Sequence, residues 1–154
     1  MRGETLSRSE QETEGFGRDL AAGLSSGDVV YLVGSLGAGK TALARGLAAG
    51  LGALPRQVAS PTFAILHEYA AGSGAIVLRH LDLYRLEDRE AELSVLGLPG
   101  SVAGAPVAVE WPGKAIRSAL PPTVEVELEV LPDGRRMIRR LPPSGKRLFV
   151  RTRR

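Results

Sequence analysis

The sequence has no cysteine, only two histidines, and few aromatic residues, which make up 5% of the chain. Without cysteine, disulfides and thiolate metal sites are excluded, and a reducing compartment is the natural setting. No apolar run approaches the roughly 18 residues that a membrane-spanning helix needs. Residues 1–15 are polar and acidic, so we expect no secretory signal peptide. These absences predict a cytoplasmic protein that does not bind a membrane.

The strongest motif is a glycine-rich loop, residues 34–41, which matches the pattern G-x-x-x-x-G-K-[ST] in full. It follows an apolar, β-branched run (residues 29–33), typical of a strand buried on both faces of a parallel sheet. It precedes a helical pattern in which Leu43, Leu47 and Leu51 recur on one face. A strand, a glycine-rich turn and a helix are what a phosphate-binding loop requires. The loop residues expected to bind a nucleotide are Gly34, Ser35, Leu36, Gly37, Ala38, Gly39, Lys40 and Thr41.

Each residue type in this loop suits a triphosphate and its magnesium ion. Glycines allow positive φ and let backbone N–H groups approach phosphate oxygens, and the helix N-terminus adds unsatisfied donors. Lys40 would neutralise the β- and γ-phosphates, and the Thr41 hydroxyl would ligate Mg²⁺. The alternative is an accidental match, which has a chance on the order of half a percent at this composition. We therefore predict a nucleotide-binding site.

Two other segments carry polar groups that could complete such a site. Pro61 holds Ser60 extended, which places Thr62 in a stiff connection where nucleotide hydrolases often carry a γ-phosphate sensor. An ordinary turn is the alternative there. A short buried strand at residues 106–110 ends in Glu110, as expected of the carboxylate that faces Mg²⁺. Trp111 follows it, and core packing is favoured over stacking on a base.

Residues 62–69 and 75–83 both have strand patterns, and the connection between them is too short for a crossover helix. The pattern therefore predicts an antiparallel hairpin. In its second strand His80, Asp82 and Tyr84 are spaced by two and would project to one face. A histidine alone would more often be a satisfied core residue. Because Asp82 lies beside it, and neither group belongs in a core without partners, a site facing the phosphates is favoured.

Charge is unevenly distributed along the 154 residues. All 17 acidic residues precede residue 135, whereas residues 135–154 contain nine Lys and Arg and no acid. The sequence is therefore divided into a nucleotide-binding domain, residues 1–134, and a basic C-terminal strand or tail segment, residues 135–154. Such asymmetry suggests an anionic partner for the basic segment. A solvated tail that balances an acidic body is an equally favoured alternative.

Four elements occur here in the order and spacing of a known family. They are the loop GSLGAGKT, the triplet SPT at residues 60–62, the stretch HLDLYR at residues 80–85 and the stretch VEWP at residues 109–112. Together they resemble the bacterial TsaE (YjeE) family, the small ATPases of tRNA threonylcarbamoyladenosine synthesis. The resemblance covers residues 5–130, and its H-x-D-x-Y-R and E-W-P elements are more specific than the loop alone. Ser35 departs from the pattern, because the family usually has Asp at that position.

The resemblance implies a role for each candidate residue. Lys40 and Thr41 would bind phosphate and Mg²⁺, and Glu110 would help to hold the metal. Thr62 would lie in a switch-like loop, and Asp82 matches a position important for ATP turnover. The implied partner is the TsaD–TsaB complex, which attaches threonylcarbamoyl to A37 of tRNA. Contact with tRNA would be indirect, or would use the basic segment.

We therefore expect an α/β protein with a single P-loop NTPase-like domain that binds and slowly hydrolyses Mg·ATP. Its central sheet would be mostly parallel, with an inserted antiparallel hairpin and helices on both faces. Asp82, Glu110 and Thr62 are the predicted catalytic residues, and Thr41 and Glu110 the predicted metal ligands. A small-molecule kinase is the alternative, although no segment is long enough for an Arg-bearing lid. A regulatory GTPase is disfavoured, because none of the three lysines lies in an [NT]-K-x-D motif.

Overall fold

The computed structural model describes residues 3–55, 66–84, 97 and 100–141. The helices are α1 (Glu10–Ala21), α2 (Lys40–Gly50) and α3 (Lys114–Ala119), and a 3₁₀ turn spans Gly100–Val102. The strands are β1 (Glu4–Ser7), β2 (Val29–Gly34), β3 (Leu66–Ala70), β4 (Ile76–Asp82), β5 (Val107–Glu110), β6 (Val124–Val130) and β7 (Arg136–Leu141). None of the helices in these ranges is long and apolar enough to cross a membrane.

All seven strands belong to one mixed sheet with the order β1-β7-β6-β2-β5-β4-β3. The four central strands, β6, β2, β5 and β4, are parallel to one another. The outer pairs β1–β7, β7–β6 and β4–β3 are antiparallel. The predicted α/β sheet with a β3–β4 hairpin is therefore confirmed. The expectation that it is mostly parallel holds only for its centre, because short turns after β3 and β6 reverse the chain without a crossover.

The sheet is covered on both faces, which explains the uninterrupted apolar run of β2. Val30 and Leu32 belong to the core under α1 and α2. Val29 and Tyr31 belong to the opposite core, which α3 covers. Tyr31 is fully buried and donates a hydrogen bond from its hydroxyl to the Leu120 carbonyl oxygen at 2.6 Å. Burial raises the pKa of Tyr31 to about 12, so the hydroxyl stays a donor across the physiological range.

The first helix begins at a residue whose side chain caps it. Ser9 is its N-cap, and the Ser9 side chain accepts a hydrogen bond from the Glu12 backbone N–H at 3.0 Å. Helices α1 and α2 then pack closely, because Gly17 and Gly46 leave no side chain between them: a Cβ on Gly46 would collide with the Glu14 carbonyl oxygen. This close packing fixes the start of α1 relative to the start of α2.

The first seven residues of the basic segment are integrated with the fold. After a turn at residues 131–135, strand β7 lies between β1 and β6, with Arg136 opposite Ser7 on one side and Val130 on the other. Arg139 donates to the carboxylates of Glu4 at 3.0 Å and Glu129 at 2.8 Å. Part of the positive charge therefore pairs with acids of neighbouring strands. Residues 142–154 lie outside the described residues.

Candidate functional site

The candidate site lies at the carboxyl ends of the central strands. Strands β2, β4 and β5 run parallel, so the residues that follow or end them meet at the same edge of the sheet. Asp82 at the end of β4 is paired in register with Glu110 at the end of β5. Glu110 is in turn paired with Leu32 of β2, two residues before the glycine-rich loop begins. The topology thus brings the loop and both carboxylates together.

The glycine-rich loop connects β2 directly to α2. Gly37 has φ of 83° and Gly39 has φ of 107°, which is the region that glycine adopts without strain. Gly39 is the N-cap of α2, and no side chain caps the helix there. The first-turn N–H groups of α2 are therefore available to an acceptor that enters the cleft, as an anion at a helix N-terminus would do.

Lys40 lies at the centre of this arrangement and is only 4% exposed. Its Nζ donates to the carbonyl oxygens of Gly34 at 2.7 Å and Ser35 at 2.8 Å, and it lies 4.3 Å from the centre of the Trp111 ring. Burial lowers the pKa of Lys40, while the negative charges of Glu110 and Asp82 oppose that shift. The ammonium group is held by weak, neutral partners that a phosphate could replace.

Glu110 is buried and makes two contacts through one oxygen. Its Oε2 lies 2.7 Å from Nε2 of His80 and 3.5 Å from Oγ1 of Thr41. Both His80 and Glu110 are about 5% exposed, so this pair lies within the protein rather than on its surface. The ring of Tyr69 is stacked near His80, with 6.5 Å between ring centres. The carboxylate is thus fixed in position on the side of the loop that carries Thr41.

Asp82, Tyr84 and Trp111 form the other wall. The Asp82 carboxylate accepts a hydrogen bond from the Tyr84 backbone N–H at 3.2 Å. The rings of Tyr84 and Trp111 lie 4.9 Å apart. Trp111 has φ of 60°, which in the described part of the chain is unique to it among residues other than glycine. Such a conformation costs about 1–3 kcal/mol and occurs most often at functional sites.

These walls line an open cleft of about 390 Å³. It is lined by seven of the predicted site residues, namely Leu36, Gly37, Gly39, Lys40, Thr41, Asp82 and Glu110. The predicted γ-phosphate sensor, Thr62, lies outside the described residues. The cleft is large enough for a nucleotide-sized ligand.

A family model described as "Threonylcarbamoyl adenosine biosynthesis protein TsaE" matches residues 7–138 of this chain. The chain belongs to the TsaE family. A TsaE of Treponema pallidum is 42% identical over 135 residues, which are 86% of this chain and 96% of that protein. A TsaE of Rickettsia bellii is 36% identical over 138 residues, with 89% and 93% covered. The family resemblance inferred from the four motifs is therefore confirmed, and with it a family role in threonylcarbamoyladenosine biosynthesis.

A solved structure agrees with this TsaE fold. The crystal structure of Bacillus subtilis YdiB superposes with a TM-score of 0.66 at 28% identity, and the match covers 92% of this chain and 86% of that one. The single α/β domain predicted from the sequence is thus supported by an independent comparison.

Some residues of the TsaE cleft were not found by sequence reasoning. Ser9, Glu10 and Thr13 in the first turns of α1 line it, and so does Arg136 of β7. Neither group lies in a recognisable motif, and Arg136 is 96 residues from Lys40 in the sequence. The sheet order brings both to the loop. The only available signal was the charge of the basic segment, which indicated an anionic partner but no position.

The oxygen donors in the TsaE cleft fit a magnesium ion. Mg²⁺ prefers oxygen ligands and commonly takes one or two carboxylates from the protein and the remaining ligands from phosphates and water. Thr41 and Glu110 supply one hydroxyl and one carboxylate on the same side of the loop. Within the described ranges, no cluster of three or more His, Asp or Glu could hold a metal without such help. The residues present therefore suit a metal that arrives with a nucleotide.

Proposed function

We propose that this TsaE-family protein binds Mg·ATP in the cleft and slowly hydrolyses it. The observation that carries the proposal is the meeting of Lys40, Thr41 and Glu110 at one end of a cleft whose floor is the glycine-rich loop. A buried cation, uncapped helix N–H groups and a carboxylate beside a hydroxyl are the parts that a Mg·triphosphate requires. The substrate is accordingly ATP, and the cofactor is Mg²⁺.

In this proposal each residue has a separate task. Residues 34–41 surround the phosphates with N–H groups, and Lys40 exchanges its two carbonyl partners for phosphate oxygens. Thr41 and Glu110 would hold Mg²⁺, which would neutralise the negative charge that develops on the phosphates. Asp82, which also lines the cleft, orients the attacking water. Thr62 remains a proposed sensor of the γ-phosphate.

The biological context follows from family membership. We infer that the protein acts in the cytoplasm on the synthesis of threonylcarbamoyladenosine at A37 of tRNA, together with a TsaD–TsaB-type complex. The cleft is open and carries the exposed apolar side chain of Leu36 at the tip of the loop. We expect a partner to stimulate the slow hydrolysis.

The test compares the unaltered protein with Lys40→Ala and Lys114→Ala. Both changes remove a lysine, but Lys114 is exposed at the start of α3 and does not line the cleft. A ligand stabilises by RT ln(1 + [L]/Kd), which is about 2.7 kcal/mol at a hundredfold excess over Kd. Mg·ATP should raise the melting temperature of the unaltered protein and of Lys114→Ala, and leave Lys40→Ala nearly unmoved. Equal shifts in all three proteins would refute the assignment.

Hydrolysis is tested separately by phosphate release without any added acceptor. Asp82→Ala and Glu110→Ala should still bind ATP, because the loop and Lys40 carry most of the phosphate contact, but they should lose turnover. Wild-type turnover in either variant would remove the proposed role of that residue. Phosphate transfer that appears only when a small-molecule acceptor is added would instead identify a kinase.

A further inference from the structure

Arg136, the first residue of β7, reaches the glycine-rich loop from two strands away, since β6 lies between β7 and β2. Its Nη2 donates to the Gly37 carbonyl oxygen at 3.0 Å, and its Nε donates to the Ala38 carbonyl oxygen at 3.4 Å. Its Nη1 donates to the Gly134 carbonyl oxygen at 2.8 Å, which fixes the guanidinium to its own turn. One planar group therefore joins the β6–β7 turn to the two central peptides of the loop.

The bonded carbonyls determine where the loop can present its N–H groups. In a planar trans peptide the C=O and the following N–H point in opposite directions, so holding one fixes the other. The Ala38 carbonyl belongs to the peptide whose N–H is that of Gly39, the N-cap of α2. Gly37 and Gly39, on either side of Ala38, have the widest choice of backbone conformation. A contact that limits this choice lowers the entropy lost when the loop binds phosphate.

The hydrogen-bond acceptors of Arg136 differ from those of the neighbouring arginines. Arg135 and Arg139 donate to carboxylates, of Asp133 at 2.7 Å and of Glu129 at 2.8 Å. The hydrogen bonds of Arg136 to described residues go to carbonyl oxygens, and Arg136 lines the cleft beside Thr13. Within the described part of the chain, Arg136 therefore lies next to the loop on carbonyl partners, whereas Arg135 and Arg139 pair with acids.

We propose that Arg136 is a positioning residue for the nucleotide phosphates. Its hydrogen bonds hold the glycine-rich loop in the conformation that accepts them. The inference rests on the proposed binding of Mg·ATP and extends the site to the C-terminal strand. This arrangement depends on a fork of donors in fixed geometry, which arginine has and lysine lacks. It makes β7, and the turn before it, part of the nucleotide site.

The experiment measures Kd for Mg·ATP by calorimetry in Arg136→Ala, Arg136→Lys and Arg140→Ala. Arg140 is the matched control, because it lies on the same strand and the same face, is exposed, and does not line the cleft. Arg136→Ala should weaken binding roughly tenfold, as the loss of a charged hydrogen-bonding group predicts. Arg136→Lys should regain less than half of that loss on a logarithmic scale. Arg140→Ala should stay within about twofold of the unaltered protein.

A structural role is separated from a positioning role by working well below each variant's melting temperature. There, a residue that only stabilises the fold would leave Kd unchanged even if its removal lowers the melting temperature. An unchanged Kd in Arg136→Ala would therefore overturn the inference, as would full recovery by Arg136→Lys. If the unaltered protein fails to bind Mg·ATP, the proposed function itself is wrong, and that result is distinct from both.

Discussion

At the scale of single residues, Glu110 depends on a neighbour that is not itself exposed to the cleft. His80 holds one carboxylate oxygen at 2.7 Å, and the same oxygen faces Thr41. A ligand carboxylate that is oriented by a second hydrogen bond binds metal more tightly, because less freedom is lost on binding. The alternating pattern of β4 predicted His80 on the site face, but the partner that satisfies it could not be inferred, since that partner lies on another strand.

His80→Ala should therefore raise the Mg²⁺ concentration needed for half-maximal ATP hydrolysis, by roughly tenfold or more. His80→Gln is the matched variant, because its amide can place a donor near the position of the histidine Nε2. Partial rescue by Gln together with an unchanged Kd for nucleotide in the absence of metal would support a role in positioning Glu110. Identical Mg²⁺ dependence in the unaltered protein and His80→Ala would contradict it.

At the scale of elements, the close approach of α1 and α2 sets the shape of the cleft. Both helices line the cleft with their first turns, and ion pairs from Arg45 to Glu10 at 2.8 Å and Glu14 at 3.0 Å join them along the exposed side. Glycine is a poor helix former, costing about 1 kcal/mol relative to alanine. Its occurrence inside both helices is explained by the contact, in which there is no room for a Cβ at Gly17 or Gly46.

Gly46→Ala should destabilise the protein by about 2 kcal/mol or more, because the added methyl would force the helices apart. Gly15→Ala provides the control, since its Cβ would meet only the end of the Arg18 side chain at 3.8 Å. There the better helix propensity of alanine should stabilise by about 0.5–1 kcal/mol. Urea denaturation should show a lower free energy of unfolding for Gly46→Ala and a higher one for Gly15→Ala than for the unaltered protein. A Gly46→Ala protein as stable as the unaltered one would mean that the helices can separate at little cost.

The elements differ in how far the sequence could predict them. The loop, its strand and its helix have a fixed local pattern, and the short turn before β4 determines the hairpin. Strand β1 has only four residues, three of them polar, so no period distinguishes it from a loop. The register of β7 depends on pairing with β1 and β6 from both sides, which is a long-range property. For the same reason the sequence located the loop and both carboxylates of the site but missed Arg136 and the start of α1.

At the scale of the whole molecule, the structure describes only the first part of the basic segment, residues 135–141. Its first part forms β7, in which Arg136 contacts the loop and Arg139 pairs with acids. A truncation at Gly134 would remove a strand from between β1 and β6 and would disrupt the sheet. The charge that could reach an anionic partner is therefore best tested in residues 142–154, which contain five Lys and Arg and no acid.

We expect a truncation after Leu141 to weaken association with tRNA held by the TsaD–TsaB-type complex while leaving Mg·ATP binding unchanged. Each phosphate contacted releases counterions, so log K should fall linearly with log salt, with a slope near −0.7 to −0.9 per contact. Phe149 is the only aromatic residue in the removed part, so base stacking can add little to the binding free energy. The truncated protein should therefore show a flatter salt dependence in a titration with tRNA and the complex.

Because β7 is kept, Arg136 still contacts the loop, and the thermal shift with ATP serves as the internal control. If both proteins bind tRNA and the complex equally at every salt concentration, residues 142–154 only offset the acidic body of the chain.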